Sequence, residues 1–235
     1  MKHYAYNSPF KMKDSEGVEY TLGVERDDWP DNPRNWDNLC TIVCWHDRYN
    51  LGDEHSFDDV DEFLERMCYE VLHKEGDEID RLNSLDKLKM LKESNLILIK
   101  EINMYDHSGI TVSTSSSYPY NDRWDSGTVG FIYVTKKTLF EECGDITEKN
   151  WKERGDQYLE GEMETYDQYL RGDVYGFILT KKVITQEKCP HCGEVIREYE
   201  EDIEDDSCWG FYGDCLEENG ILDNIGCDLE FIEEE

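Results

Sequence analysis

The chain has 235 residues, with 56 Asp and Glu against 24 Lys and Arg, a formal net charge of −32 and nine cysteines. At 38 % hydrophobic and 12 % aromatic residues it holds enough apolar material for a core, which excludes a disordered polyanion, while the charge excludes binding to nucleic acid through a basic surface. No apolar run reaches bilayer-spanning length and Met1-Lys2-His3-Tyr4 opens no apolar leader, so a soluble cytoplasmic protein with reduced cysteines is expected, with no membrane partner.

In chain order, Tyr4 to Arg26 alternates around Gly17 as two short strands, and the Pro- and Trp-rich stretch Asp27 to Trp36 reads as a loop. Leu39 to Trp45 has the length and composition of a buried strand. Ser56 is placed to cap a helix with Asp58 and Asp59 in its first turn, and Val60, Phe63, Leu64, Met67, Val71 and Leu72 follow at helical spacing. A weaker helix covers Leu85 to Lys92, followed by strands at Leu96 to Tyr105 and Gly109 to Thr114 and a surface loop at Ser115 to Asp125. Thr128 to Thr135 is strongly β-forming. Ile146 to Leu170 is helical, as one helix or two, and Gly155 and Gly161 argue against one straight rod. Val174 to Thr185 reads as a strand, Cys189 to Gly193 as a turn, Glu194 to Tyr199 as its return strand, Asp206 to Gly213 as an aromatic turn, and Leu216 to Ile225 as a short helix. Strands and helices without a βαβ rhythm predict a single α+β domain over 1–235, built on a largely antiparallel sheet, with 186–235 an acidic subregion containing a C-x-x-C turn.

Cys189-Pro190-His191-Cys192-Gly193 is the strongest local chemical signal, since such a turn points two thiolates at one metal. A structural zinc needs four ligands, and Cys208 and Cys215 are the nearest candidates to complete the set; the alternative is a hairpin turn with free thiols. No cofactor is required by any other motif. His46, Asp53 and His55 form a second candidate metal cluster, with His107 as a further imidazole, although hydrogen-bonded loop residues before a helix account for the same pattern. No nucleophile elbow, phosphate-binding loop or dinucleotide fingerprint is present, and a non-enzymatic role is expected.

The charge itself is the main functional signal. Duplex DNA carries one charge per roughly 1.7 Å, so the net charge equals that of about 55 Å of duplex. The segment Glu198 to Glu235 holds sixteen acids and no Lys or Arg, interleaved with Trp209, Phe211, Tyr212, Ile221 and Phe231, and therefore reads as folded. Glu164, Asp167 and Asp173 lie in a second acidic stretch at helical spacing. Together with Glu200, Glu201, Asp202, Glu204, Asp205 and Asp206 they are the candidate partner-binding residues.

The phrases Arg48-Tyr49-Asn50-Leu51-Gly52-Asp53, Tyr105-Asp106-His107-Ser108-Gly109, Trp124-Asp125-Ser126-Gly127, Glu164-Thr165-Tyr166-Asp167-Gln168-Tyr169-Leu170 and Asp206-Ser207-Cys208-Trp209-Gly210-Phe211-Tyr212-Gly213 span most of residues 45–213. They resemble a family of acidic proteins carried by phages, plasmids and integrated elements of Gram-positive bacteria. The resemblance brings no catalytic residues with it. It implies a counter-defence context in the cytoplasm of a bacterial host. The expectation is then an inhibitor that mimics nucleic acid and occupies the basic channel of a restriction enzyme or CRISPR effector, its partner being the defence nuclease or that enzyme's nucleic-acid-binding subunit. The rival expectations are a non-mimetic inhibitor anchored by aromatics such as Trp124 or Trp209, and a metal-dependent enzyme using the His46/Asp53/His55 loop.

Overall fold

The computed structural model describes residues 2–74, 76–106, 109–115, 126–226 and 228–232. In chain order its elements are β1 (Phe10–Lys13), β2 (Glu19–Arg26), β3 (Thr41–Cys44), α1 (Val60–Leu72), α2 (Asp77–Asp80), α3 (Ser84–Glu93), β4 (Ile97–Asp106), β5 (Ile110–Ser113), β6 (Ser126–Thr135), α4 (Lys136–Glu142), α5 (Trp151–Arg171), β7 (Val174–Lys188), β8 (Val195–Tyr212), α6 (Ile221–Asn224) and β9 (Glu230–Phe231). The fold is α+β, with two antiparallel sheets. The chain forms two compact units, one from residues 32–171 and one from the combined segments 1–31 and 172–235.

The unit of residues 32–171 carries the sheet β3-β6-β4-β5. Its strands are apolar at consecutive positions because both faces are covered. Ile42 and Ile132 pack with Leu139, Leu159 and Met163 of α4 and α5. Their neighbours Val43 and Phe131 pack with Phe63, Leu64 and Leu91 of α1 and α3. Asp59, not Ser56, caps α1: its carboxylate accepts from Glu62 N at 2.9 Å, and Glu62 reaches back to Asp58 N at 2.7 Å. Asp59 directly precedes Val60, the first residue of the helix, so its carboxylate and not the Ser56 hydroxyl reaches the free amides of the first turn.

Helix α5 runs unbroken from Trp151 to Arg171, the single-helix form of the two arrangements expected, with both glycines inside it. Gly155 is there for proximity: a Cβ would lie 2.6 Å from Leu98 and 2.8 Å from Leu139, so its absence lets the helix settle on β4 and α4. Gly161 meets nothing within 4 Å and is simply a tolerated weak point.

The other unit holds the sheet β8-β7-β2-β1-β9, with Met12, Leu22, Phe177, Leu179, Leu216 and Ile221 in its core. Its two segments are tied at several points. Ala5 N donates to Asp214 O at 2.8 Å, Leu216 N to His3 O at 2.9 Å, and the His3 ring stacks on Phe231 at 3.7 Å. The aromatic stretch Asp206 to Gly213 is strand through Tyr212 instead of a turn, and the return strand predicted to stop at Tyr199 continues through it. Glycine misled the reading there: Gly210, at φ +89°, is the extra residue of a bulge between the pairs Gly176–Trp209 and Tyr175–Phe211. The predicted closing helix contracts to α6, preceded by a turn in which Glu218 and Asn219 N–H groups reach Cys215 O. Most of the loop expected at Ser115 to Asp125 lies outside the described residues.

Candidate functional site

β2 pairs with β7 from Tyr175 to Lys181; from Lys182 outward, among the described residues, β7 and β8 pair only with each other. The result is a two-stranded arm, closed by the Cys189 to Gly193 turn, in which every residue from Val195 to Gly210 is exposed. Val183, Ile184, Thr185, Val195, Ile196, Tyr199 and Ile203 give the arm β-forming side chains on both of its faces. Among the described residues, nevertheless, no second layer packs against it.

Register sorts the acids by face. Thr180, Lys182, Ile184 and Gln186 oppose Glu204, Asp202, Glu200 and Glu198, so these four carboxylates form one row on the face shared with Gly176 and Trp209. Neighbours in that row are about 6.8 Å apart, two residues at roughly 3.4 Å each. One base stands among them: Lys182 Nζ lies 3.6 Å from Glu200 and 3.2 Å from Glu19. Gln186 Nε2 donates to Glu198 at 2.5 Å. The opposite face alternates Tyr199, Glu201, Ile203 and Asp206 across from Thr185, Val183, Lys181 and Leu179, and Asp205 is the unpaired residue of a bulge. Thr185 Oγ1 donates to Glu201 at 3.1 Å. All six acids predicted from Glu200 to Asp206 therefore reach solvent.

The three remaining predicted acids have different fates. Glu164 is exposed on α5. Asp167 accepts from Val112 N at 2.8 Å and pairs with Arg171 at 3.5 Å, so it fastens α5 to β5 and is not displayed for a partner. Asp173 pairs with Arg26 at 3.3 Å and its side chain is only 17 % exposed. The acidic C-terminal segment is likewise divided in purpose. Burial opposes ionisation of Glu217, but the His3 ring at 2.8 Å and the His3 N–H at 3.0 Å outweigh it and lower its carboxyl to about 2. Glu218 pairs with Lys2.

The four cysteines expected to share a zinc are not together. Cys208 is opposite Phe177, eleven residues before Lys188, which puts it roughly 37 Å down the arm from Cys189. Cys215 is buried at the base of its unit, bridged to Tyr4. Cys189 and Cys192 do converge. Cys189 N donates to Glu194 O at 2.8 Å and Gly193 N to Cys189 O at 2.9 Å, closing a turn that needs Gly193 at φ +76°. The backbone N–H groups of His191 and Cys192, then the Cys192 thiol, hold the Cys189 thiol below its ordinary range. The described cysteines are all free thiols.

The His46, Asp53 and His55 side chains border one cavity of about 640 Å³, yet their own chain engages each of them. His46 Nδ1 accepts from Arg48 N and Tyr49 N, both at 3.2 Å. His55 Nε2 donates to Cys44 O at 2.9 Å, leaving Nδ1 buried without a partner. Asp53 belongs to an ion-pair network that sequence reading missed. Arg34, whose side chain is 4 % exposed, holds Asp53 through Nε at 2.8 Å and Nη2 at 2.9 Å, and Glu162 through Nη1 at 2.9 Å. Glu162 and Asp53 in turn accept from the N–H groups of Leu39, Cys40 and Ile42. A single Arg in a Pro-rich loop gives no periodic signal of that role. No group of three or more His, Cys, Asp or Glu among the described residues is arranged to hold a metal. His107 and Trp124 lie outside the described residues. Trp209 is half-exposed, but its indole lies over Gly176, where a Cβ would sit 1.9 Å from the ring. Among the described residues no helix is long and apolar enough to cross a membrane. Comparison with protein-family models, characterised proteins and solved structures gives no match.

Proposed function

We propose that this chain is a binding protein whose acidic arm occupies the basic nucleic-acid channel of a bacterial defence nuclease, a restriction enzyme or CRISPR effector, and so inhibits it. One observation carries the reading. Residues 198–206 place seven carboxylates on an exposed strand, about one per 4 Å at strand rise. Each strand of DNA carries one phosphate per 3.4 Å of axis. A channel built to hold a nucleic-acid strand would meet the arm with Lys and Arg, and Arg forks accept carboxylates bidentately as they accept phosphates. The mobile-element phrasing of the sequence supplies the defence context.

The test is capture on the immobilised full-length chain from extracts of bacteria carrying restriction or CRISPR systems, with elution by duplex DNA or moderate salt. The expected result is one nuclease complex that DNA displaces. The triple reversal Glu200→Lys, Asp202→Lys and Glu204→Lys should weaken its capture by about 100-fold, each lost pair costing on the order of 1 kcal/mol. A partner that ignores both excess DNA and the triple reversal would overturn mimicry. That outcome would favour docking through the opposite face of the arm, where Tyr199 and Ile203 are 39 % and 43 % exposed.

A further inference from the structure

The turn at the end of the arm is a preformed half of a metal site. Cys189 and Cys192 are held on one side of it by two backbone hydrogen bonds, and the amides of His191 and Cys192 point at the Cys189 sulfur. A structural Zn²⁺ takes four ligands in a tetrahedron. Among the described residues this chain supplies two, since Cys208 and Cys215 are out of reach and no third metal-binding side chain is grouped with them.

We propose that Cys189 and Cys192 bind Zn²⁺ together with the same two cysteines of a second copy, joining two chains arm tip to arm tip. Three features of the tip select a second copy. Its position at the outermost point of an exposed hairpin lets the same patch meet itself about a twofold axis. Its charge is balanced: residues 186–197 hold Glu187 and Glu194 against Lys188 and Arg197, in a chain of net charge −32. The acid row begins at Glu198, opposite Gln186 and two residues down β7 from the Lys188–Val195 pair, or about 7 Å at strand rise; the rows of two facing tips would then stand roughly 14 Å or more apart, beyond a Debye length of about 8 Å at physiological salt, so they oppose the contact little. Finally, Val195 and Ile196 are 46 % and 63 % exposed beside the turn, and a facing tip would cover them. On binding, four S–H bonds are exchanged for four S–Zn bonds and four protons pass to buffer, with no redox change. This proposal stands apart from the nuclease reading, because it is read from metal content and mass.

The experiment strips the full-length protein of metal under a thiol-free reductant, then titrates it with Zn²⁺ and, separately, with Co²⁺ as a spectroscopic probe. Half an equivalent of Zn²⁺ per chain should double the mass by light scattering, chelator should reverse it, and Co²⁺ should give the absorption of a four-thiolate tetrahedral site. Cys192→Ser should abolish uptake and doubling with an unchanged melting temperature, and Cys208→Ser should change neither. A full equivalent of Zn²⁺ per chain without doubling would overturn the proposal. So would no uptake, or doubling that persists without metal.

Discussion

Arg34 shows how much one side chain can organise. Its guanidinium is buried against two carboxylates, and those carboxylates occupy three backbone N–H groups leading into β3. Arg34→Ala would leave Asp53 and Glu162 facing each other without a cation, and breaking a buried ion pair from one side costs about 3–5 kcal/mol. Urea unfolding should show that loss, and Arg34→Lys should recover only part of it because one ammonium cannot serve both forks. Glu217 makes a second prediction with a definite sign. Its carboxyl is lowered in the folded chain to about 2, against about 4.3 when unfolded. Its contribution is therefore fully present above the unfolded value and lost as pH falls through about 2. Glu217→Gln should lower the melting temperature at pH 7, and the gap to the native chain should have narrowed by pH 3. A gap of equal size at both pH values would mean that the charge of Glu217 does not hold His3.

At the scale of elements, α5 offers a matched pair of glycines. Gly161→Ala should stabilise by up to about 1 kcal/mol, the helix-propensity difference at an open position. Gly155→Ala should destabilise by about 1–2 kcal/mol, because Leu98 and Leu139 must move to admit the methyl group. Thermal melts of the two variants shifted in opposite directions would confirm that one glycine is packing and the other is not. The same pair shows what the sequence could and could not reveal. Periodicity located α1, α3, α5 and the strands β3, β4 and β6, since their apolar residues repeat with the element. It failed at glycines, because spacing along the chain does not say which partner will approach. Gly155 was read as opposing a straight rod and is a packing contact; Gly210 was read within a turn and is a bulge inside β8. The acids posed the same difficulty. Those from Glu200 to Asp206 are displayed, whereas Asp167, Asp173 and Glu217 bind their own chain, and only three-dimensional neighbours separate the two groups.

For the whole molecule, β8 is both the acidic surface and a sheet edge. A long exposed edge strand invites pairing with other chains. Here consecutive acids and three bulges, at Ile196, Asp205 and Gly210, discourage unspecific pairing. The charge thus guards the edge, and under the function proposed above the same charge would also serve recognition. A partner for the arm must supply enough positive charge to overcome what keeps identical copies apart along most of its length.

The division of one unit between residues 1–31 and 172–235 also has a consequence for synthesis. When β2 emerges from the ribosome its neighbour β7 does not yet exist, and the 147 residues between Arg26 and Val174 take roughly 7–30 s to translate at 5–20 residues per second. During that time the unit of residues 32–171, contiguous in sequence, can complete its own sheet. The hairpin of β1 and β2 must wait, exposed, for the strand that covers it. The acidic arm is made after residues 32–171, so it reaches solvent only once that contiguous unit has had time to fold.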